Sequence, residues 1–144
     1  MLSADANQDK TIRVVPVPAN SLAAWIEAEE FVEKAIWRTT HWDITHVLHQ
    51  FIDGKVQLSM MYEGNLLMGA IISEVIVYPL KRVFFVHGLA ANPSRNMEGF
   101  DDVWNQICGL AKSCGCQTVS ASGRMGWLRQ VPGAKSLNMW EVDI

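Results

Sequence analysis

A change of hydrophobic period constrains this chain more than any other feature. Leu22, Trp25, Ile26, Val32 and Ile36 recur at helical spacing, as do Ile44, Val47, Leu48 and Phe51 at i, i+3, i+4 and i+7. Asn20 or Ser21 can cap the first of these helices, and Thr40 or Asp43 the second, which Asp53-Gly54 stops. From Lys55 onward the period changes. "KVQLSMMYEGNLLMGAIISEVIVYPLKRVFFVHGLA" reads as a strand, a turn at Glu63-Gly64-Asn65, a long strand, a turn at Pro79 and a further strand. Gly69 inside the second of these strands marks a bend or a close backbone approach.

The flanks complete the pattern. "TIRVVPVP" alternates, and its prolines confine it to an edge strand. A loop after Asn92 leads into a helix with an apolar stripe at Val103, Trp104, Ile107, Leu110, Ala111 and Cys114. Glu98, Asp101 and Asp102 suit its N-terminal end and Gly115 its C-terminal cap. "CQTVSAS" reads as a strand, "RMGWLRQV" as a short helix and "SLNMWEVDI" as a last strand. The predicted order is β-α-α-β-β-β-α-β-α-β. An antiparallel meander that gives way to a helical crossover predicts an α+β fold with a mixed sheet and helices over it. No repeat or linker divides the chain, so residues 11–144 are read as a single domain behind a polar, flexible tail at 1–10.

Composition narrows the function classes. A formal charge of −3 lacks the basic face that non-specific nucleic-acid binding needs. No apolar run reaches the length of a membrane span, and "MLSADANQDK" lacks the apolar core of a secretion signal. A soluble, cytoplasmic protein is expected. The six tryptophans must serve a core or a contact surface. Cys108, Cys114 and Cys116 are odd in number and lack paired zinc knuckles, so reduced thiols and no metal are expected. His46, His49 and Asp53 share a helix face, with His41 ahead of the helix; they read as solvated polar groups rather than metal ligands.

The order of elements resembles the Gcn5-related N-acetyltransferase (GNAT) fold. "DITHVLHQFIDGKVQLSMMYEGNLLMGAIISEVIVYP" followed by "WNQICGLAKSCGCQTVSASGRMGWLR" is similar to small GNAT-like proteins encoded by bacteriophages, in order over residues ~40 to 144. The Gly-Arg-x-Gly-Trp corner at 123–127 is the most specific piece. This resemblance implies a largely antiparallel sheet with helices on both faces. It also implies acyl transfer from acetyl-CoA or another acyl-CoA to an unknown amine, in the cytoplasm of a host if the chain is phage-encoded. Glu74 or His87 would then be the base, and backbone amides from Val86, His87, Gly88 and Leu89 would hold the cofactor.

Two departures from the family pattern carry an alternative. The family's diphosphate loop has the form Arg/Gln-x-x-Gly-x-Gly/Ala, whose glycines aim backbone N–H groups at the anion. Here "NPSRNMEGFDD" keeps only Arg95 and Gly99, one residue too far apart, and adds three carboxylates. The family's C-terminal tyrosine, which protonates the leaving thiolate, is matched by Trp127, whose indole is no acid. Tyr62 and Tyr78 both lie far from that region. The alternative is a non-catalytic scaffold, acting as a virion component or as a binder of a host factor.

The remaining candidates divide in the same way. Arg124 in "GRMGW" pairs with an anion if the corner serves a ligand. Otherwise it bonds to carbonyls while Gly123 turns the chain, Gly126 permits close packing and Trp127 fills the core. Trp37 and Trp42 flank the break between the first two helices, where the resemblance places an acceptor groove. Lys81-Arg82 reads as an exposed basic turn or a contact with an acidic partner.

Overall fold

The computed structural model describes residues 11–36, 41–92, 100–121, 133–135 and 142–143. A five-stranded sheet in the spatial order β1-β2-β3-β4-β5 forms its centre. β1 (Ile12–Pro16), β2 (Gln57–Glu63), β3 (Leu66–Val77) and β4 (Arg82–Ala91) pair antiparallel in turn, and β5 (Thr118–Ala121) joins β4 in parallel. Helices α1 (Leu22–Ile36) and α2 (Ile44–Ile52) link β1 to β2, and α3 (Phe100–Ser113) links β4 to β5. The expected class is therefore observed, and the order holds through Ala121. The helix expected at "RMGWLRQV", with Arg124 and Trp127, lies outside the described residues. Of the strand expected over 136–144 only Val142 and Asp143 are described, and neither is in a strand.

Local chemistry sets the helix ends. Asp43 caps α2, its Oδ1 accepting from the His46 N–H at 2.7 Å; the other candidate, Thr40, lies outside the described residues. Asp53 ends α2, and Gly54 follows at a φ of 75°. For α1, Ser21 Oγ accepts from the Ala24 N–H at 3.4 Å, while Asn20 turns the chain at a φ of 53°. Behind α3, Gly115 adopts a φ of 76°, its N–H reaching Lys112 O and that of Cys116 reaching Ala111 O. This paired closure satisfies the last carbonyls of α3.

Alternation along the strands fills both faces of the sheet. On one, Leu58, Met60, Ala70 and Ile72 meet Trp25, Ala28, Val32 and Ile36 of α1 and Val47 and Phe51 of α2. On the other, Ile12, Met61, Ile71, Phe84 and Val86 meet Val103, Ile107 and Ala111 of α3. Helices thus cover both faces. The outer edge is closed as well. Gln106 of α3 donates from Nε2 to Ile12 O at 2.8 Å and accepts the Val14 N–H at 2.7 Å. Its amide occupies backbone groups of β1 that would otherwise template another strand.

Two expected contributors to the α1 core turn outward: Leu22 is 53% exposed and Ile26 72%. Trp25, Ala28, Val32, Ala35 and Ile36 already fill the narrow strip of α1 that faces the sheet.

Two bulges bend the central strands. In β3, Met61 pairs with Gly69 and Tyr62 with Leu67, so Met68 is the extra residue. In β4, Ile72 pairs with Gly88 and Ser73 with Val86, so His87 is extra. Each bulge residue is followed by glycine. A Cβ on Gly69 would lie 2.2 Å from Ala90 O, and one on Gly88 2.3 Å from Ala35 O. Gly69 therefore marks a close backbone approach, and Gly88 is where α1 presses against β4.

Candidate active site

The bulge in β4 sets His87 and Gly88 on one face. Phe84 and Val86 belong to the α3 side and Leu89 also packs there, whereas a Cβ on Gly88 would meet α1. His87 and Gly88 thus both face the α1–α2 layer, where unbulged alternation would separate them. Glu74 stands opposite Phe85 in the neighbouring strand. From there its Oε1 meets His87 Nε2 at 2.8 Å.

The environment of this pair is aromatic. The Trp42 ring lies 4.4 Å from the His87 ring, centroid to centroid, and Phe85 lies 4.8 Å away. Trp42 comes from the turn before α2 and also meets the His46 ring at 4.9 Å. The imidazole is 13% exposed and the Glu74 side chain 32%, so the carboxylate is the wetter partner. An ionised carboxylate only accepts hydrogen bonds, so beside one His87 Nε2 donates.

Sequence reasoning offered Glu74 and His87 as separate alternatives, and the structure brings them into contact. Val86 pairs with Ser73 on one side and with Ala121 on the other, in the last described rung between β4 and β5. His87, Gly88 and Leu89 lie beyond that rung. Arg95, Gly99, Arg124, Glu98 and Trp37 lie outside the described residues. Asp101 and Asp102 occupy the first turn of α3, both exposed. Phe85 was not singled out; its spacing of two from His87 on a strand was the available signal. Arg82 is exposed, as expected of a basic turn, and is also hydrogen-bonded within the chain. Its Nη1 donates to Cys114 O at 3.1 Å, and its backbone N–H and carbonyl both bond to Gln117. It ties the start of β4 to the turn behind α3.

The three cysteines are free thiols. Among the described residues no three histidine, cysteine or acidic side chains converge as a metal site would require. Burial pushes the Cys116 thiol up, with a further rise from Cys114 and an opposing pull from Arg82. Burial raises Cys108 too, against Lys112. A raised thiol holds less thiolate at neutral pH, and thiolate is the species that alkylates. Iodoacetamide labelling of Cys116 in folded protein should therefore run slower than in urea, and should accelerate only as pH rises past the usual thiol range. Peptide-resolved mass spectrometry reads this directly; equal rates in folded and unfolded protein would contradict it.

This architecture, with its parallel fifth strand and crossover helix, is the GNAT fold. The Brucella melitensis biovar Abortus 2308 ribosomal-protein-alanine N-acetyltransferase superposes with a TM-score of 0.68 at 10% identity, over 93% of this chain and 99% of that one. A GCN5-related N-acetyltransferase from Ralstonia eutropha JMP134 gives 0.66 at 15% identity, over 92% and 98%. An aminoglycoside N-acetyltransferase in complex with CoA gives 0.65 at 9%, over 92% and 93%. The sequence matches no family model and no curated protein. At such identities the likeness establishes the fold, and chemistry must be argued from the site.

Proposed function

We propose that the protein is an N-acyltransferase that moves an acyl group from acyl-CoA to an amine, with the Glu74–His87 pair handling the amine's proton. The observation that carries this reading is the 2.8 Å contact between His87 Nε2 and Glu74 Oε1. It is made by a bulge residue just past the last described rung of β5, beneath an aromatic wall. The Glu74–His87 pair accepts the proton that the acceptor nitrogen loses, and Glu74 holds the imidazole ring in place.

Beyond Val86, β4 stays paired to β3 through Ala91. An extended, amide-bearing arm such as that of CoA would run along this part of β4 as an added strand does. His87, Gly88 and Leu89 would hold that arm, with Val86 at its edge. When bound, acyl-CoA supplies a thioester-activated acyl group. Support from the neighbours is of the same kind: their names record acetyl transfer to a ribosomal-protein alanine and to aminoglycosides, and one holds CoA.

A second reading has its own observation. Asp101 and Asp102 stand in the first turn of α3, at the helix end that would receive a diphosphate, and they repel one. A non-catalytic GNAT scaffold, of the phage type that the sequence resembles, accommodates them without penalty. It would work by binding a host factor or within a virion. Titration calorimetry with acetyl-CoA, paired with thiol release across a panel of primary amines, separates the two. Saturable binding with amine-dependent thiol release supports the transferase; absence of binding supports the scaffold.

A further inference from the structure

Two exposed apolar features lie apart from Glu74 and His87, and they complement each other. The first is a groove of about 300 Å³ between α1 and α2, lined by Leu22, Trp25, Ile26, Ile44 and Leu48, with Glu29 on its wall. The outward turn of Leu22 and Ile26, one helical turn apart, leaves it open. Glu29 and Glu33, both exposed, follow at three and seven residues beyond Ile26 and extend the same stripe. The groove is apolar toward the start of α1 and acidic toward its end.

The second feature is the tip of the β3–β4 hairpin. The Tyr78 N–H closes the turn on Lys81 O at 2.9 Å. The turn leaves Val77, Tyr78 and Leu80 exposed to 67%, 51% and 97%, with Lys81 beside them. A leucine that exposed buries almost nothing within its own chain. Because Arg82 is bound to Cys114 O, Lys81 is the cation presented at the tip.

We infer that the hairpin tip of one copy docks into the α1–α2 groove of a second copy. Leu80 and Tyr78 fill the apolar end, and Lys81 lies against Glu29 and Glu33. Convex apolar surface meets concave apolar surface, and positive charge meets negative. The strand register adds a geometric argument. Pro16, at the end of β1, pairs with Ser59, and Ser59 pairs with Ile71 of β3. β3 runs on from there to the tip, while the chain leaving β1 enters α1. Groove mouth and tip therefore belong to the same end of the sheet, which lets two copies exchange tips about a two-fold axis and close the assembly. A tip-sized contact is small beside a standard interface, so association on the order of micromolar is expected.

Sedimentation velocity on the full chain from about 1 to about 100 µM tests this, on that affinity scale. The parent should pass from monomer to dimer across the range. Leu80→Asp and Ile26→Asp, both at exposed positions, should each stay monomeric with the melting temperature of the parent. Mixing the two variants should restore association, because one keeps an intact groove and the other an intact tip. A parent that stays monomeric throughout would overturn the inference, as would a dimer that survives Leu80→Asp, or a mixture that fails to associate. Survival of the dimer in Leu80→Asp would indicate groove-on-groove pairing. None of these readings depends on acyl transfer.

Discussion

His87→Ala is expected to lower acyl transfer by about 10²–10⁴-fold, the range for loss of a positioned general base. Glu74→Gln should cost less, since an amide still accepts the Nε2 hydrogen bond but no longer offsets the charge of an imidazolium. The order of the two effects matters more than their sizes. If His87 takes the proton, His87→Ala is the more damaging change. If Glu74 were the base, Glu74→Gln would be. Rates of thiol release for parent and both variants, with circular dichroism to verify folding, discriminate between them. A His87→Ala protein that is folded and fully active would remove the pair from the chemistry.

Phe51→Ala should be the most destabilising single change on the α1–α2 side, costing about 3–5 kcal/mol. Phe51 is 1% exposed and its ring stacks on Trp25 at 5.6 Å, joining α2 to α1 over β2 and β3. Truncation removes the largest fully buried side chain in this layer and leaves a cavity that two helices and a twisted sheet cannot collapse to fill. For a chain of this size the melting temperature should fall by roughly 10–20 °C. Phe51→Leu, which keeps most of the volume, should recover well over half of that loss. A melting temperature within a few degrees of the parent for Phe51→Ala would mean that the layer is far looser than its burial indicates.

The candidate site was legible only in part. Glu74 and His87 drew notice as a carboxylate and an imidazole on neighbouring strands, but strict alternation does not determine whether they meet. Their contact depends on the register that sets Glu74 opposite Phe85, and the bulge beyond it turns Gly88 to the same face, where the carbonyl of Ala35 occupies the space of a side chain. A glycine after a histidine is visible in the chain; the helix pressing on it is not. Trp42 was marked as a groove residue through family resemblance, whereas its stacking on His87 follows from how the turn before α2 folds back over the sheet.

By itself the sequence determined what short-range physics governs. The elements from β1 through β5 followed from hydrophobic period, the end of α2 from Asp53-Gly54, the closure of α3 from Gly115, and the edge placement of β1 from its prolines, because each signal acts within a few residues of chain. Only the tertiary structure decided which apolar residues are buried. Leu22 and Ile26 match the helical period as well as Trp25 and Val32 do, yet they face solvent because the strip of α1 against the sheet is narrower than its apolar surface. The same holds for Gln106, a polar helix residue whose amide binds β1 from more than ninety positions away, and for Arg82, bound to Cys114. Such partners are chosen by the packing of whole layers against one another, and local sequence carries no record of a neighbour that distant.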